Sequence, residues 1–288
     1  FLQWNRYAET ANEVYQVPTT AQPVNSQPAV ANEIPSGSAL TQAPVAPLES
    51  NATGNHIVVS TPLSDITIAL TGGDISQVLL KEFPVSLKNP DNPIALLDQE
   101  DRIYVAQSGL VGTDGPDASS SGRPIYIAEQ DRYRIEQPTD ISIRTMTQMG
   151  LVVTKTFYID PTRYDIKVTH TIENTSDASK TVSPFVQLKR DNSEDPSIQN
   201  SMGMQAFLGY ALRTADERYR KISFTDFETA TAARELNTEL KNNSVSGGYL
   251  ALLQHYFTSA WVPVYNQTHL YSFRTNQEGH FIGSIISP

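Results

Sequence analysis

From His56 onward the sequence repeats with a period of two, and that alternation constrains what the chain can become. In Tyr164–Asn174 the apolar residues Ile166, Val168 and Ile172 fall on one face, with Asp165, Lys167, Thr169 and Thr171 on the other. Asp65-Ile66-Thr67-Ile68-Ala69-Leu70 and Asp140-Ile141-Ser142-Ile143-Arg144 alternate in the same way. Successive side chains of a strand point to opposite faces, so each segment makes a ribbon with one side to bury and one to hydrate. That is the pattern of antiparallel sheets. Val152–Asp160 and Thr181–Arg190 are expected to add strands. Turn-forming clusters separate these runs: Thr71-Gly72-Gly73-Asp74, Asn89-Pro90-Asp91-Asn92-Pro93, Thr113-Asp114-Gly115-Pro116-Asp117, Asn174-Thr175-Ser176-Asp177 and Ser246-Gly247-Gly248. Such spacing over residues 56–288 predicts a mainly β protein, a large antiparallel sandwich. One short helix is expected over Asp226–Lys241, where Leu236 and Leu240 stand four apart. The Gly72-Gly73 pair, between strand-like runs, is expected to turn the chain with at least one residue at positive φ. No internal repeat is present.

Residues 1–55 are different material. No Lys or Arg occurs between Arg6 and Lys81, and six of the 18 prolines (Pro18, Pro23, Pro28, Pro35, Pro44, Pro47) stand among Ala, Thr, Gln, Asn and Ser. This composition offers too little apolar surface to offset an ordering cost of about 1–2 kcal/mol per residue. Residues 8–55 are therefore expected to form a disordered linker that packs on nothing. Asn51-Ala52-Thr53 is formally a glycosylation sequon. At the start, Trp4 and Tyr7 beside Phe1-Leu2 fit either the end of a membrane helix, where such rings favour the interface, or an ordinary frayed terminus.

Charge and cysteine content exclude several classes. Twenty-one Lys+Arg against 31 Asp+Glu give −10, of which residues 1–55 contribute −3. An acidic chain without a basic run lacks the footprint of a nucleic-acid binder. The absence of cysteine excludes thiol catalysis, Cys-ligated zinc, iron–sulfur clusters and a disulfide scaffold. The densest apolar stretch, Tyr249–Leu253, is far short of the ~18 residues of a membrane span.

Motifs of catalysis are missing. No G-x-G-x-x-G, P-loop or G-x-S-x-G pattern occurs, and the five histidines (His56, His170, His255, His269, His280) form no H-x-H or H-E-x-x-H spacing. His170 falls on the apolar face of its strand, which points to a satisfied core histidine rather than a ligand. His255 and His269 could converge in space for a metal or acid–base role, against the plainer reading of histidines with neither. Asp114 and Asp117, in a glycine-rich loop, suit Ca²⁺ ligation by type but lack the full calcium-loop pattern; the simpler reading is turn aspartates bonding local backbone. The aromatics Tyr249, Tyr256, Phe257 and Trp261 read as core anchors more simply than as a sugar or peptide platform.

Several segments, in order, resemble a known family. They are Gly72-Gly73-Asp74-Ile75-Ser76-Gln77-Val78-Leu79-Leu80; Ala106-Gln107-Ser108-Gly109-Leu110 running into Asp114-Gly115-Pro116-Asp117; and Arg123-Pro124-Ile125-Tyr126. Thr154-Lys155-Thr156-Phe157, Gln187-Leu188-Lys189, Gly247-Gly248 with the run to Phe257, and Ala260-Trp261-Val262-Pro263 follow. Together they resemble the large periplasmic domain of the bacterial membrane protein insertase YidC, over about Ile57 to Pro288.

The resemblance implies a galactose-mutarotase-like β-super-sandwich facing the periplasm of a bacterial inner-membrane protein, tethered through transmembrane helices absent from this sequence. Residues 1–55 would be the end of the first membrane helix plus linker. By the same resemblance the sequence stops at Ser287-Pro288, ahead of the family's final strands and the segment leading into the membrane. It implies a non-catalytic role without cofactor or metal, nascent inner-membrane proteins as clients of the membrane core, and a contact with the Sec translocon subunit SecF within Asp177–Phe227. In that stretch the mixed-charge run from Arg213 to Lys221 suggests Arg213, Arg218, Tyr219, Arg220 and Lys221 as partner-binding residues, against the plainer reading of a solvated face. Gly72, Gly73, Asp74, Gly109, Asp114, Gly115, Asp117, Gly247 and Gly248 are expected to be structural turn positions. Two rivals from other classes are a mutarotase-like carbohydrate protein and a stalked surface binding module.

Overall fold

The computed structural model describes residues 33–35, 54–194, 207–264 and 266–288. In chain order its strands are β1 (His56–Ser60), β2 (Ser64–Ala69), β3 (Asp74–Ser86), β4 (Asn89–Leu97), β5 (Tyr104–Val111), β6 (Arg132–Arg134), β7 (Thr139–Met146), β8 (Leu151–Ile159), β9 (Ile166–Asn174) and β10 (Ser183–Arg190). Then follow β11 (Gly209–Leu212), β12 (Arg220–Ile222), helix α1 (Ala230–Asn242), β13 (Leu250–Leu253), β14 (Thr258–Trp261), β15 (Leu270–Thr275) and β16 (Phe281–Ile286).

Nine strands make one large sheet in the order β15-β16-β10-β5-β3-β2-β1-β6, with β4 added to β3. Its pairs are antiparallel except β1 with β6. A three-stranded sheet (β7-β8-β9) and a four-stranded sheet (β12-β11-β13-β14) complete the architecture. One apolar cluster joins all three sheets: Ile57, Ile68, Tyr104 and Leu188 from the large sheet, Ile143, Val153 and Phe157 from the first small one, Tyr210, Leu212 and Leu252 from the second. The result is the antiparallel β-sandwich expected from the alternation, with the core between the large sheet and the two small ones.

Helix α1 starts where Thr229 accepts a hydrogen bond from the Ala232 N–H at 3.2 Å, and buries Ala233, Leu236 and Leu240 at helical spacing. A 3-10 turn, Phe224–Phe227, occupies the first part of the expected helix. Its two rings pack with Tyr210, Phe273 and Phe281, and Phe224 stacks on Phe281 at 4.3 Å between centroids.

Four expectations change. Asn89-Pro90-Asp91-Asn92-Pro93 is not a turn but the first half of β4; the turn lies at Leu87-Lys88. Proline is tolerated there because β4 pairs with β3 alone, in a register broken around Pro84 and Pro93. In β9, Ile166 and Val168 are half-buried but Ile172 is exposed, so the apolar face fades toward the strand's end. Of the aromatics of 249–261, half-buried Trp261 packs against the core as expected, but Tyr256 is 72% exposed and Tyr249 and Phe257 are half-buried. Finally, the expectation that 8–55 packs on nothing fails at Glu33–Pro35, where Ile34 is 5% exposed and packs with Val111 and Phe185. It fails again at its end, where the Asn55 carbonyl accepts the Leu70 N–H at 2.8 Å; the remainder of that expected linker, with Phe1–Tyr7 and the sequon, lies outside the described residues.

Candidate functional site

Two places bring chemistry-bearing residues together. The first lies inside the sandwich around Gly72 and Gly73, whose φ values of 74° and 64° are both in the left-handed region, as expected of the pair. The turn does more than reverse the chain. A Cβ on Gly73 would stand 2.8 Å from Ile143 Cδ1 and 2.9 Å from Lys155 Cδ, so the glycine leaves room for a lysine crossing the core. Lys155, fully buried, donates to the carbonyls of Gly72 at 3.0 Å and Ser108 at 2.9 Å. Burial pushes its pKa down to about 8, against the pull of the Asp74 carboxylate.

Beside it, Arg123 Nε donates to Asp117 Oδ1 at 2.8 Å, Nη1 pairs with Asp74, and Nη2 donates to the Ser108 carbonyl at 2.9 Å. Burial works against the Arg123 charge, but Asp74 and Asp117 outweigh it and hold its pKa above the ordinary value. Asp117 also accepts the Leu110 N–H at 2.8 Å, and Asp74 accepts from Gln107 Nε2 at 2.7 Å. A Cβ on Gly109 would fall 2.3 Å from Asp117 Oδ2, and one on Gly115 would meet the Val111 backbone at 2.4 Å. Gly109 and Gly115 thus give the buried aspartate its place. Two cations and two carboxylates, sealed from water and mutually compensated, form a lock between strands; nothing here is open to a substrate.

The aspartates of this loop therefore neither cap a local turn nor gather as calcium ligands. Asp117 is one arm of the buried lock. Asp114 reaches across to the Thr181 N–H at 2.8 Å and Lys180 Nζ at 3.2 Å. Among the described residues no group of three or more His, Asp or Glu side chains gathers as metal ligands would. Gly247 and Gly248 both adopt positive φ, and a Cβ on Gly248 would lie 2.6 Å from the Tyr271 hydroxyl. Of the histidines, His269 is buried with its ring nitrogens on Ser287 Oγ and the Val264 carbonyl at 2.9 and 3.0 Å. His170 is half-buried opposite Lys155 in the β8–β9 ladder, and among the described residues its buried Nε2 meets no hydrogen-bond partner, so it is not the satisfied histidine expected.

The second place is the surface hairpin joining β11 to β12. The Thr214 N–H donates to the Glu217 carbonyl at 2.9 Å, and the Ala215 N–H to the Asn243 carbonyl at 3.1 Å, tying the hairpin to the end of α1. The five suggested residues do not act alike. Arg220 forks onto Glu239 of α1, Nη1 to Oε1 at 2.6 Å and Nη2 to Oε2 at 3.0 Å. Arg213 is half-buried. Arg218, Tyr219 and Lys221 are exposed, with the Lys221 ammonium 4.8 Å from the Phe207 ring centroid and 5.9 Å from that of Tyr219.

Sequence reasoning missed the charged lock, although Lys155 falls on the apolar face of its strand, between Val153 and Phe157. That misplaced charge was the available signal.

Residues 56–288 match the family model described as the YidC periplasmic domain. The chain belongs to that family. It is 36% identical over 291 residues to the membrane protein insertase YidC of Azotobacter vinelandii, covering 98% of this chain and 50% of the relative. It is 34% identical over 300 residues to that of Pseudomonas syringae pv. syringae, covering 100% and 52%, and 38% identical over 235 residues to that of Pseudomonas putida, covering 81% and 40%. This YidC periplasmic domain thus spans about half the length of the curated relatives it matches, and Gly72-Gly73, Gly109, Asp117, Arg123 and Lys155, from the segments that carry the sequence resemblance, are parts of its buried lock.

Proposed function

We propose that this chain is the non-catalytic, periplasm-facing part of a YidC-type membrane protein insertase, assisting insertion and folding of inner-membrane proteins. The supporting observation is the family match over the whole sandwich, together with relatives named as insertases. On this reading the clients are nascent inner-membrane proteins, handled by membrane-spanning parts of the full-length protein, and the sandwich docks on SecF.

The docking residues are Arg218, Tyr219 and Lys221, with Arg213 and Arg220 shaping the hairpin beneath them. Tyrosine and arginine are enriched at interface hot spots, and exposed basic charges on an acidic protein steer association. Because Arg220 is committed to Glu239, the informative reversal is Arg218→Glu with Lys221→Glu. In the full-length protein, a photo-cross-linker at position 219 should capture SecF, and the double reversal should slow capture and flatten its salt dependence with the fold unchanged. Undiminished capture would place the contact elsewhere.

A further inference from the structure

The large sheet has a second face, away from the main core, and a row of buried polar side chains crosses it. Gln187 on β10 stands in register with Gln107 on β5 and Ser284 on β16. Its Nε2 donates to Gln107 Oε1 at 2.7 Å, and its Oε1 accepts from Arg274 Nη2 at 2.7 Å and Ser284 Oγ at 3.2 Å. Arg274 Nη1 donates to Ser284 Oγ at 2.9 Å. Gln187 and Ser284 have no exposed surface.

This row converges on one carbonyl. Gln187 Nε2 donates to the Glu33 carbonyl at 2.9 Å and Arg274 Nη2 to the same oxygen at 2.5 Å. The Glu33 carboxylate pairs with Lys189, two residues along β10 on the same face. Ile34 fills an apolar pocket of Val111 and Phe185, rimmed by Ala118 and Ile286, and Pro35 is buried behind it. Three residues from before the first strand are thus held as a peptide ligand is held: main-chain oxygen on buried donors, acid on a lysine, aliphatic side chain in a pocket. That carbonyl takes the second N–H of Gln187 Nε2, the first going to Gln107, so the buried row is completed by an acceptor from outside the sheet.

We propose that this face is a peptide-binding groove for extended segments of the pattern acidic–aliphatic–proline. Glu33-Ile34-Pro35 is its resident ligand, held in cis, and a partner segment of the same pattern enters by displacing it. A tethered ligand competes at an effective concentration on the order of millimolar, so the groove is closed to weak partners until the tether is withdrawn or outcompeted. The inference is independent of the docking assigned above to Arg218, Tyr219 and Lys221.

The test uses the full 288-residue chain and a fluorescein-labelled peptide spanning residues 31–37 of its own sequence. Glu33→Ala with Ile34→Asp should empty the groove and allow micromolar binding of the peptide, at least tenfold tighter than to the unaltered chain. Adding Lys189→Glu should abolish binding, and a peptide with lysine for its glutamate should restore it. Equal binding to both chains, or none to a vacated variant that melts like the unaltered chain, would overturn the proposal. If the double variant does not fold, excess unlabelled peptide over the unaltered chain decides: faster amide exchange at Ile34 supports displacement, and unchanged exchange refutes it.

Discussion

The side-chain amide of Asn237 on α1 makes both main-chain hydrogen bonds of Phe273 on β15: Nδ2 donates to its carbonyl at 2.9 Å and Oδ1 accepts its N–H at 2.7 Å. Strand β15 ends the order of the large sheet, and an open edge is a template for pairing with another chain. One residue of the helix therefore stands in for a missing strand.

Asn237→Ala removes both bonds at a partly buried position, a loss of roughly 1–3 kcal/mol. The urea midpoint should fall accordingly, and size-exclusion chromatography at high concentration should show self-association through the uncovered edge. A monomer with an unchanged midpoint would count against this role.

Gly73→Ala combines a left-handed φ with a Cβ pressed on Ile143 and Lys155, which cannot both retreat inside the core. Strain and crowding together should cost about 1–3 kcal/mol. Gly279→Ala, also at positive φ but with nothing within 4 Å, isolates the backbone part and should cost less. The difference between the two melting curves measures the crowding.

Lys155 and His170, paired across β8 and β9, give stability a defined pH dependence. Lys155 has its pKa lowered to about 8, so between pH 8 and its unfolded value near 10.5 the unfolded chain holds more protons and stability rises with pH. The full span corresponds to roughly 3 kcal/mol. Burial, then the charges of Lys155 and Arg123, lower His170 to about 3, so stability falls as pH drops from 6.5 toward 3. Lys155→Met should flatten the rise between pH 8 and 9.5, and His170→Phe the fall below pH 6.5. The alkaline range stops there because Tyr104, Tyr126 and Tyr210, their pKa values raised by burial, act in the opposite sense above pH 10. Slopes identical to the unaltered protein would refute the assignment.

Arg123→Met should be the most damaging of these changes, about 3–5 kcal/mol, because it strands Asp74 and Asp117 as buried like charges. Adding Asp117→Asn should recover part of the loss in a double-mutant cycle, which a simple packing defect would not allow.

The parts legible in sequence are those where one face is wet. Strands β7 and β9, and helix α1 through Leu236 and Leu240, follow from alternation or helical spacing. Strand β5 does not, since all eight of its residues are buried and its Gln107, Ser108 and Gly109 break any apolar pattern. Those polar residues are inside because partners far along the chain satisfy them: Asp74, Gln187, Arg123 and Lys155. Period and propensity are local, whereas the lock and the groove exist only after strands distant in sequence have met. Of the suggested docking residues, sequence identified the charge run but not that Arg220 is bound to Glu239.

Strand β16 is an interior member of the large sheet, bonded to β15 on one side and β10 on the other. A chain emerging amino-terminus first therefore holds an unfinished sheet until residue 286 has appeared. Until then β10 lacks one of its two neighbours, β5 being the other, and Tyr210 lacks the Phe281 carbonyl, the second acceptor of its hydroxyl. Pairings of such long sequence separation form slowly. Among the described strands β16 is the one that closes the large sheet, and until it arrives the polar row of β5 and β10 stays open to whatever accompanies the emerging chain.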